Sequence, residues 1–223
     1  MDKNINHSKE IMGKEFVDNK TEVPMSHYLE KYKELDPHEV SDRCKVNFNE
    51  TESAFELTVF NTPLLIAYPE FEIKIQGECA YAKVFDSPYA KMLIIRYLIE
   101  KCSAPFTGKF MTYREMPWGE VYDKNFNGRC ILRLAFGFGS RIDAFSAACE
   151  KLGGRKLTHG DASYELPVFE NMIIRLVIYE GDDEFPPTSQ FLFSDNMAIS
   201  FTAEDRAVFG DLLIDSIKIL SSK

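Results

Sequence analysis

The first three strand-like runs of the chain are separated by breaks too short for a crossover connection. The runs are Ala54–Phe60, Leu64–Tyr68 and Phe71–Gln76, and the breaks are Asn61-Thr62-Pro63 and Tyr68-Pro69. A parallel neighbour needs a connection of about a dozen residues or more, whereas antiparallel strands need only a tight turn. The sequence therefore predicts an antiparallel meander in this part of the chain.

Three further strands are predicted late in the chain, at Ala162–Leu166, Met172–Glu180 and Gln190–Phe193. The second of them is apolar almost throughout, which is typical of a central strand buried on both faces. Because the strands cluster early and late and do not alternate with helices, the pattern favours the α+β class over a doubly wound sheet. We expect a mostly antiparallel sheet packed by several helices.

Helix starts are marked by capping residues. Asp36-Pro37 and Ser87-Pro88 each combine a cap with a proline suited to the first turn, and Thr202 with Asp205 forms a capping box. The helix after Ser87, Tyr89–Lys101, is apolar nearly all round, so we expect it in the core. Helical spacing or stop signals predict the remaining helices: Pro24–Leu35, Ile131–Phe138 and Arg141–Leu152.

The chain is expected to form one domain. It has 223 residues, enough for one large core without staples, and it contains no repeat and no low-complexity linker. Residues 1–20 carry few large apolar side chains and show no period, which predicts a flexible N-terminal tail. The domain is then expected over residues 21–223.

The charge balance limits the partners of the protein. Lys and Arg number 26 against 35 Asp and Glu, a net charge of −9. Nucleic acids and anionic membranes bind basic surfaces that displace counterions, so neither is expected as a partner. The polar N-terminus has no apolar segment of a signal peptide, which favours a cytoplasmic location.

The cysteines indicate a reducing compartment. No CxxC spacing occurs, so the local patterns of zinc and iron–sulfur sites are missing from the sequence. We expect free thiols and no metal site. The cysteines are Cys44, Cys79, Cys102, Cys130 and Cys149.

The densest polar cluster is the segment Gly181–Pro187, which we call the acidic loop. It holds Asp182, Asp183 and Glu184 between a predicted core strand and a rigid Pro-Pro. Such carboxylates could bind a ligand such as a hard cation through oxygen, or perform acid–base chemistry, with Asp183 and Glu184 as the catalytic candidates. The alternative is a solvated turn in which one acid bonds backbone amides.

Two arginines are candidates for anion binding beside that loop. Arg96 lies within the most apolar helix, where a buried guanidinium needs a carboxylate partner. Its functional interpretation is an anion clamp or a counter-charge to the acidic loop, and the alternative is a structural ion pair. Arg114 is the second candidate for the same role.

Three other residues are candidate ligand-binding positions. His159 and Asp161 could pair as imidazole and carboxylate, although Asp161 also suits a plain turn or cap. Trp118 lies in a Pro-Trp-Gly turn, where partial exposure is expected. No Walker A, GxSxG, HExxH or complete dinucleotide motif occurs, so these motifs do not identify a cofactor.

A set of short motifs, ordered along nearly the whole chain, carries a family resemblance. They are Leu35–Val40, Tyr97-Leu98, Thr107–Phe110, Tyr113–Pro117, Lys151–Gly154, His159–Ala162, Gly181–Pro187 and Thr202–Asp205. Together they resemble a bacterial family defined only as domain of unknown function 3786. Two positions depart from its pattern: Trp118 replaces a favoured Gly, and Ser194, followed by Asp195, replaces a favoured Asp.

The resemblance implies a single cytoplasmic domain from an anaerobic bacterium, with no established activity. Some relatives carry an added iron–sulfur domain in a context of one-carbon or corrinoid metabolism, but this chain has no cysteine before Cys44. The leading hypothesis is a non-catalytic binding or accessory module whose partner is a small anionic ligand or a metalloenzyme. The alternatives are an enzyme that uses Asp183 or Glu184 beside an arginine, and a structural subunit of a complex.

Overall fold

The computed structural model describes residues 22–222, with side chains described from Met25 onward. The predicted tail, residues 1–20, lies outside the described residues. The described chain folds as a single α+β domain in which helices pack on a nine-stranded sheet. The expected fold class is therefore confirmed.

The sheet is antiparallel at every strand pair of the described chain. The main path runs in the order β4-β3-β2-β7-β8-β9-β5, while β1 pairs with β2 and β6 pairs with β7. The strands are β1 Asn47–Asn49, β2 Ala54–Val59, β3 Thr62–Ala67, β4 Ile73–Ile75, β5 Phe110–Thr112, β6 Arg155–Lys156, β7 Ala162–Phe169, β8 Met172–Tyr179 and β9 Thr188–Ser194.

The helices lie mainly between the strand groups and after the last strand. They are α1 Glu22–Lys33, α2 Pro37–Cys44, α3 Lys83–Asp86, α4 Pro88–Glu100, α5 Gly119–Phe126, α6 Leu132–Phe138, α7 Ile142–Lys151, α8 Met197–Ser200 and α9 Ala203–Ser221. A 3₁₀ turn, Tyr113–Glu115, leads toward α5, and a π turn, Asn127–Ile131, joins α5 to α6.

The predicted meander and caps are confirmed. Strands β2, β3 and β4 pair as successive antiparallel neighbours, and β8 lies inside the sheet between β7 and β9. Asp36 caps α2, Ser87 caps α4, and Thr202 with Asp205 forms the capping box of α9. Local sequence signals therefore determine where these elements begin.

Helix α9 is the centre of the helical layer. Most of its side chains are buried, and it contacts α4, α5, α7 and the π turn. Its Phe209 is completely buried among Phe60, Phe169 and Phe201 at ring-centroid distances of 4.8–6.2 Å. Aromatic packing of this kind adds to the free energy of area burial, so α9 is firmly attached to the sheet.

The helical segment before Ile131 was not predicted from the sequence. Helix α5, the π turn and α6 follow one another without interruption, so residues 119–138 form one helical rod that we call the π-turn helix. Only its last eight residues, Ile131–Phe138, were expected as a helix. A π turn inserts an extra residue into the helical repeat and shifts the positions that face the core, which obscures a regular apolar period.

Candidate functional site

The acidic loop forms a self-contained turn. The Oδ1 atom of Asp182 accepts hydrogen bonds from the amides of Glu184, at 2.9 Å, and Phe185, at 2.7 Å. These bonds hold the pKa of Asp182 below its ordinary value. All three acidic side chains are exposed, so the geometry matches the solvated-turn alternative.

The two candidate arginines have carboxylate partners elsewhere. Arg96 Nη1 donates to Asp205 Oδ1 at 2.7 Å, and its Nε lies 3.5 Å from Glu100. Arg114 pairs with Glu120 at 3.2 Å on the exposed surface. The expectation that Arg96 offsets the charge of the acidic loop is therefore wrong, because its partner is the buried capping residue of α9.

His159 and Asp161 serve the turn that precedes β7. Both side chains are exposed. The His159 amide donates to Ser163 Oγ at 3.1 Å, and Asp161 Oδ2 accepts from the Glu180 amide at 2.8 Å. Asp161 thus acts as a turn residue, as the alternative interpretation expected, because its carboxylate accepts a backbone hydrogen bond.

The two positions that depart from the family pattern have different environments. Ser194 is completely buried, where its hydroxyl accepts from the Ile173 amide at 3.0 Å and donates to Asn196 at 2.6 Å. Asp195 accepts hydrogen bonds from the hydroxyl and amide of Thr107, and the hydroxyl above all holds its pKa below the ordinary value. Through these hydrogen bonds, Ser194 links the end of β9 to β8, and Asp195 links the segment after β9 to Thr107.

The acidic loop packs against the end of the π-turn helix. A Cβ atom added at Gly139, just after α6, would lie 2.2 Å from Pro187 Cβ, so the close approach needs glycine there. Because Pro187 also stiffens the end of the loop, the loop is fixed beside the C-terminal end of α6. Its acidic side chains therefore stand at one end of the π-turn helix.

Trp118 stands at the opposite end of that helix and is 75% exposed. Its φ of 62° lies in the left-handed region, which L residues avoid. The turn around it is tightly packed, since a Cβ atom added at Gly119 would lie 1.8 Å from the Tyr113 carbonyl oxygen. The surrounding structure therefore imposes the unfavourable conformation on Trp118.

A buried arginine of α9 holds the same turn from inside. Arg206 is 1% exposed, and its Nη2 donates to the Pro117 carbonyl oxygen at 2.5 Å while Nη1 donates to Phe201 at 2.6 Å. Burial lowers the pKa of the Arg206 guanidinium. A buried cation is therefore used to fix the backbone next to the exposed Trp118.

Apolar side chains are exposed near both ends of the π-turn helix. Val121 is 71% exposed and Phe136 63%, with Tyr122 and Leu132 each close to half exposed. Trp118, Val121, Tyr122, Leu132 and Phe136 together are called the outer stripe. Sequence analysis identified only Trp118, because the π turn breaks the spacing that would have related the other four.

A charged cleft of about 430 Å³ lies between the π-turn helix, α9 and the start of α4. Asp211 of α9 bridges two arginines there: its Oδ2 accepts from Arg129 at 2.6 and 2.9 Å, and its Oδ1 accepts from Arg133 at 3.1 Å. Arg129 also binds Glu204 at 2.8 Å, and Arg133 also binds Asp215. Each guanidinium is thus already paired, and the network ties the helix to α9.

Burial of the Arg129 guanidinium disfavours its charge, but hydrogen bonds to Glu204 and Asp211 outweigh that cost and raise its pKa above the ordinary value.

Within residues 22–222, no group of three or more His, Cys, Asp and Glu side chains is arranged to hold a metal ion. In the same part of the chain, no helix has the length and apolarity to cross a membrane.

The family resemblance can now be tested by comparison. A family model matches residues 36–216, which include the capping box of α9, the acidic loop and the whole π-turn helix. The chain belongs to the family Domain of unknown function (DUF3786). Neither the curated proteins nor the solved structures provide a significant match to this DUF3786 protein. Its function must therefore be inferred from its own surfaces.

Proposed function

We propose that this DUF3786 protein is a non-catalytic accessory module that binds a partner protein through the outer stripe. The observation that carries the proposal is the set of five exposed apolar side chains between Trp118 and Phe136. Following the family resemblance, we place the module in the cytoplasm of an anaerobic bacterium. Its proposed partner is a metalloenzyme of one-carbon or corrinoid-linked metabolism.

The size of the outer stripe supports a protein partner. A helical rod of residues 119–138 is about 30 Å long at a rise of about 1.5 Å per residue. Since an aromatic side chain presents about 150–250 Å² of surface, the stripe exposes on the order of 500 Å² of apolar area. Summed over the five side chains, this area would supply the apolar part of an interface of about 800 Å² per partner.

The rigidity of the stripe also supports binding. Asp211 joins Arg129 and Arg133 to α9, and Arg206 fixes the backbone before Trp118. A surface that is already ordered loses little conformational entropy when a partner binds. The exposed side chains are therefore presented on a preorganised scaffold.

The charges near the stripe favour a basic partner. The acidic loop, with Asp182, Asp183 and Glu184 exposed, is fixed beside the end of α6, and the whole chain has a net charge of −9. Complementary charges speed association and select partners. We therefore propose a partner whose apolar contact surface is bordered by Lys or Arg side chains, so that salt weakens the complex.

Catalysis at the acidic loop and binding of a small anion lack this support. An acid–base enzyme at Asp183 or Glu184 was expected to use Arg96 or Arg114, but these arginines pair with Asp205 and Glu120. The same pairing offers no open cation to a small anionic ligand. A purely structural subunit would use the same outer stripe and differs from the proposal only in the lifetime of the complex.

The test compares two substitutions at equally exposed apolar positions. Phe136→Asp places a charge in the stripe, whereas Ile199→Asp, at a residue 65% exposed on α8, is the matched control. Tagged wild-type and variant chains are used to capture proteins from a host lysate, with quantification by mass spectrometry. We expect Phe136→Asp to reduce one captured protein at least tenfold and Ile199→Asp to leave it unchanged. Equal capture by both variants would contradict the proposal.

A further inference from the structure

Two cysteines meet where α2 ends against the C-terminal end of α4. Cys44 is the last residue of α2 and is 1% exposed, whereas Cys102 lies two residues after the end of α4 and is exposed. A buried thiol next to an accessible thiol is the arrangement that a reversible disulfide requires, provided that the backbones are close enough.

Hydrogen bonds hold the two segments side by side. The Ser103 amide donates to the Arg43 carbonyl oxygen at 3.0 Å, and the Arg43 guanidinium donates to the carbonyls of Leu98 and Lys101. Residues 43 and 103 flank the two cysteines in sequence. The contact between them therefore brings Cys44 and Cys102 next to each other.

The sulfur position gives a distance limit. Cys44 Sγ lies 3.5 Å from the Lys101 carbonyl oxygen, which belongs to the peptide group that precedes Cys102. A trans peptide places its oxygen about 3 Å from the next Cα, so the sulfur lies within roughly 6–7 Å of the Cys102 Cα. A cysteine sulfur lies roughly 3 Å from its own Cα, so the two Cα atoms lie within about 9–10 Å of each other. Paired cysteines have Cα atoms about 4.4–6.8 Å apart, so the bond forms when the Cys102 side chain rotates toward Cys44 and the exposed segment after α4 shifts.

We propose that Cys44 and Cys102 form a reversible thiol-modification site for low-molecular-weight disulfides such as oxidised glutathione. The exposed Cys102 thiolate attacks the disulfide, forms a mixed disulfide and releases one glutathione thiolate. The Cys44 thiol then loses its proton as its sulfur attacks the Cys102 sulfur, which forms the Cys44–Cys102 bond and releases the second glutathione as a thiol. The two protein thiols are oxidised, and one glutathione disulfide is reduced to two thiols.

The environments suit this order of attack. Burial raises the pKa of the Cys44 thiol to about 11, and the Arg43 charge, which acts in the opposite direction, does not outweigh it. Cys44 therefore stays protonated and protected while Cys102 meets the solvent. Once formed, the bond would tie α2 to the segment after α4, and thiol reductants would release it. This inference does not depend on the proposed partner-binding function.

The experiment treats the purified, fully reduced chain with oxidised glutathione and follows intact mass and peptide maps. We expect the wild type to lose two hydrogens and to yield a Cys44–Cys102 cross-linked peptide. Cys44→Ala is expected to retain one glutathionyl group on Cys102. Cys102→Ser, a change at an exposed site, is expected to form no bridge, and Cys79→Ser serves as the matched control that still forms it.

Three results would overturn the proposal. The first is a wild-type chain that remains unmodified, and the second is one that keeps a stable glutathionyl group on Cys102 without forming the bridge. The third is a cross-link that uses any cysteine other than this pair. Thiol titration supplies a further readout, because five free thiols should fall to three after oxidation and return to five with reductant.

Discussion

Replacement of Trp118 by Gly and by Ala tests whether its backbone is held in an unfavourable conformation. Both changes remove the indole ring. The difference between the unfolding free energies of the two variants therefore isolates the effect of the Cβ atom at a φ of 62°. A left-handed conformation costs an L residue about 1–2 kcal/mol, whereas Gly loses about 0.5–1 kcal/mol more backbone entropy than Ala. We expect the Gly variant to be more stable than the Ala variant by about 0.5–1 kcal/mol.

The matched control is the same pair of substitutions at Val121, which is similarly exposed but lies in helix α5. There Ala should be more stable than Gly by about 1 kcal/mol, because glycine destabilises a helix interior. Urea unfolding followed by circular dichroism gives all four free energies, since tryptophan fluorescence is lost in the Trp118 variants. An Ala variant at least as stable as the Gly variant at position 118 would refute the reasoning.

Three other predictions concern packing, exposure and pH. Gly119→Ala should destabilise the fold by more than ~3 kcal/mol in urea unfolding, because the added Cβ would lie 1.8 Å from the Tyr113 carbonyl oxygen. Gly128→Ala is the control and should not destabilise the fold, because no atom lies within 4 Å of its added Cβ. Glu184→Gln should change the unfolding free energy by less than ~0.5 kcal/mol, since that side chain is exposed. Burial raises the pKa of Glu170, so the wild type should lose stability relative to Glu170→Gln as pH rises above 4.5 in parallel urea titrations.

Local signals in the sequence were enough to predict much of the fold. The short breaks around Asn61 and Pro69 fix an antiparallel meander, because no longer connection is available. Asp36, Ser87 and Thr202 mark helix starts through hydrogen bonds to amides two or three residues away. Such features depend on neighbours in sequence and can be read without knowing the tertiary structure.

The candidate site was harder to predict because it depends on long-range packing. Arg96 was expected beside the acidic loop, but its partner Asp205 lies 109 residues away in sequence. Several acids could have supplied the needed carboxylate, and only the position of α9 against α4 selects one. Apart from Trp118, the outer stripe was not predicted for a different reason. The π turn at Asn127–Ile131 changes the helical phase between Val121 and Phe136, so a regular helical period does not relate these positions.

Native mass spectrometry of the tagged chain isolated from a host lysate tests the central claim most directly. We expect a species with the mass of this chain plus one other protein subunit. The added subunit should dissociate at high salt and be missing from Phe136→Asp, yet remain with Ile199→Asp. Recovery of the chain alone, or with only a small molecule or metal ion bound, would contradict the claim that its outer stripe binds a protein.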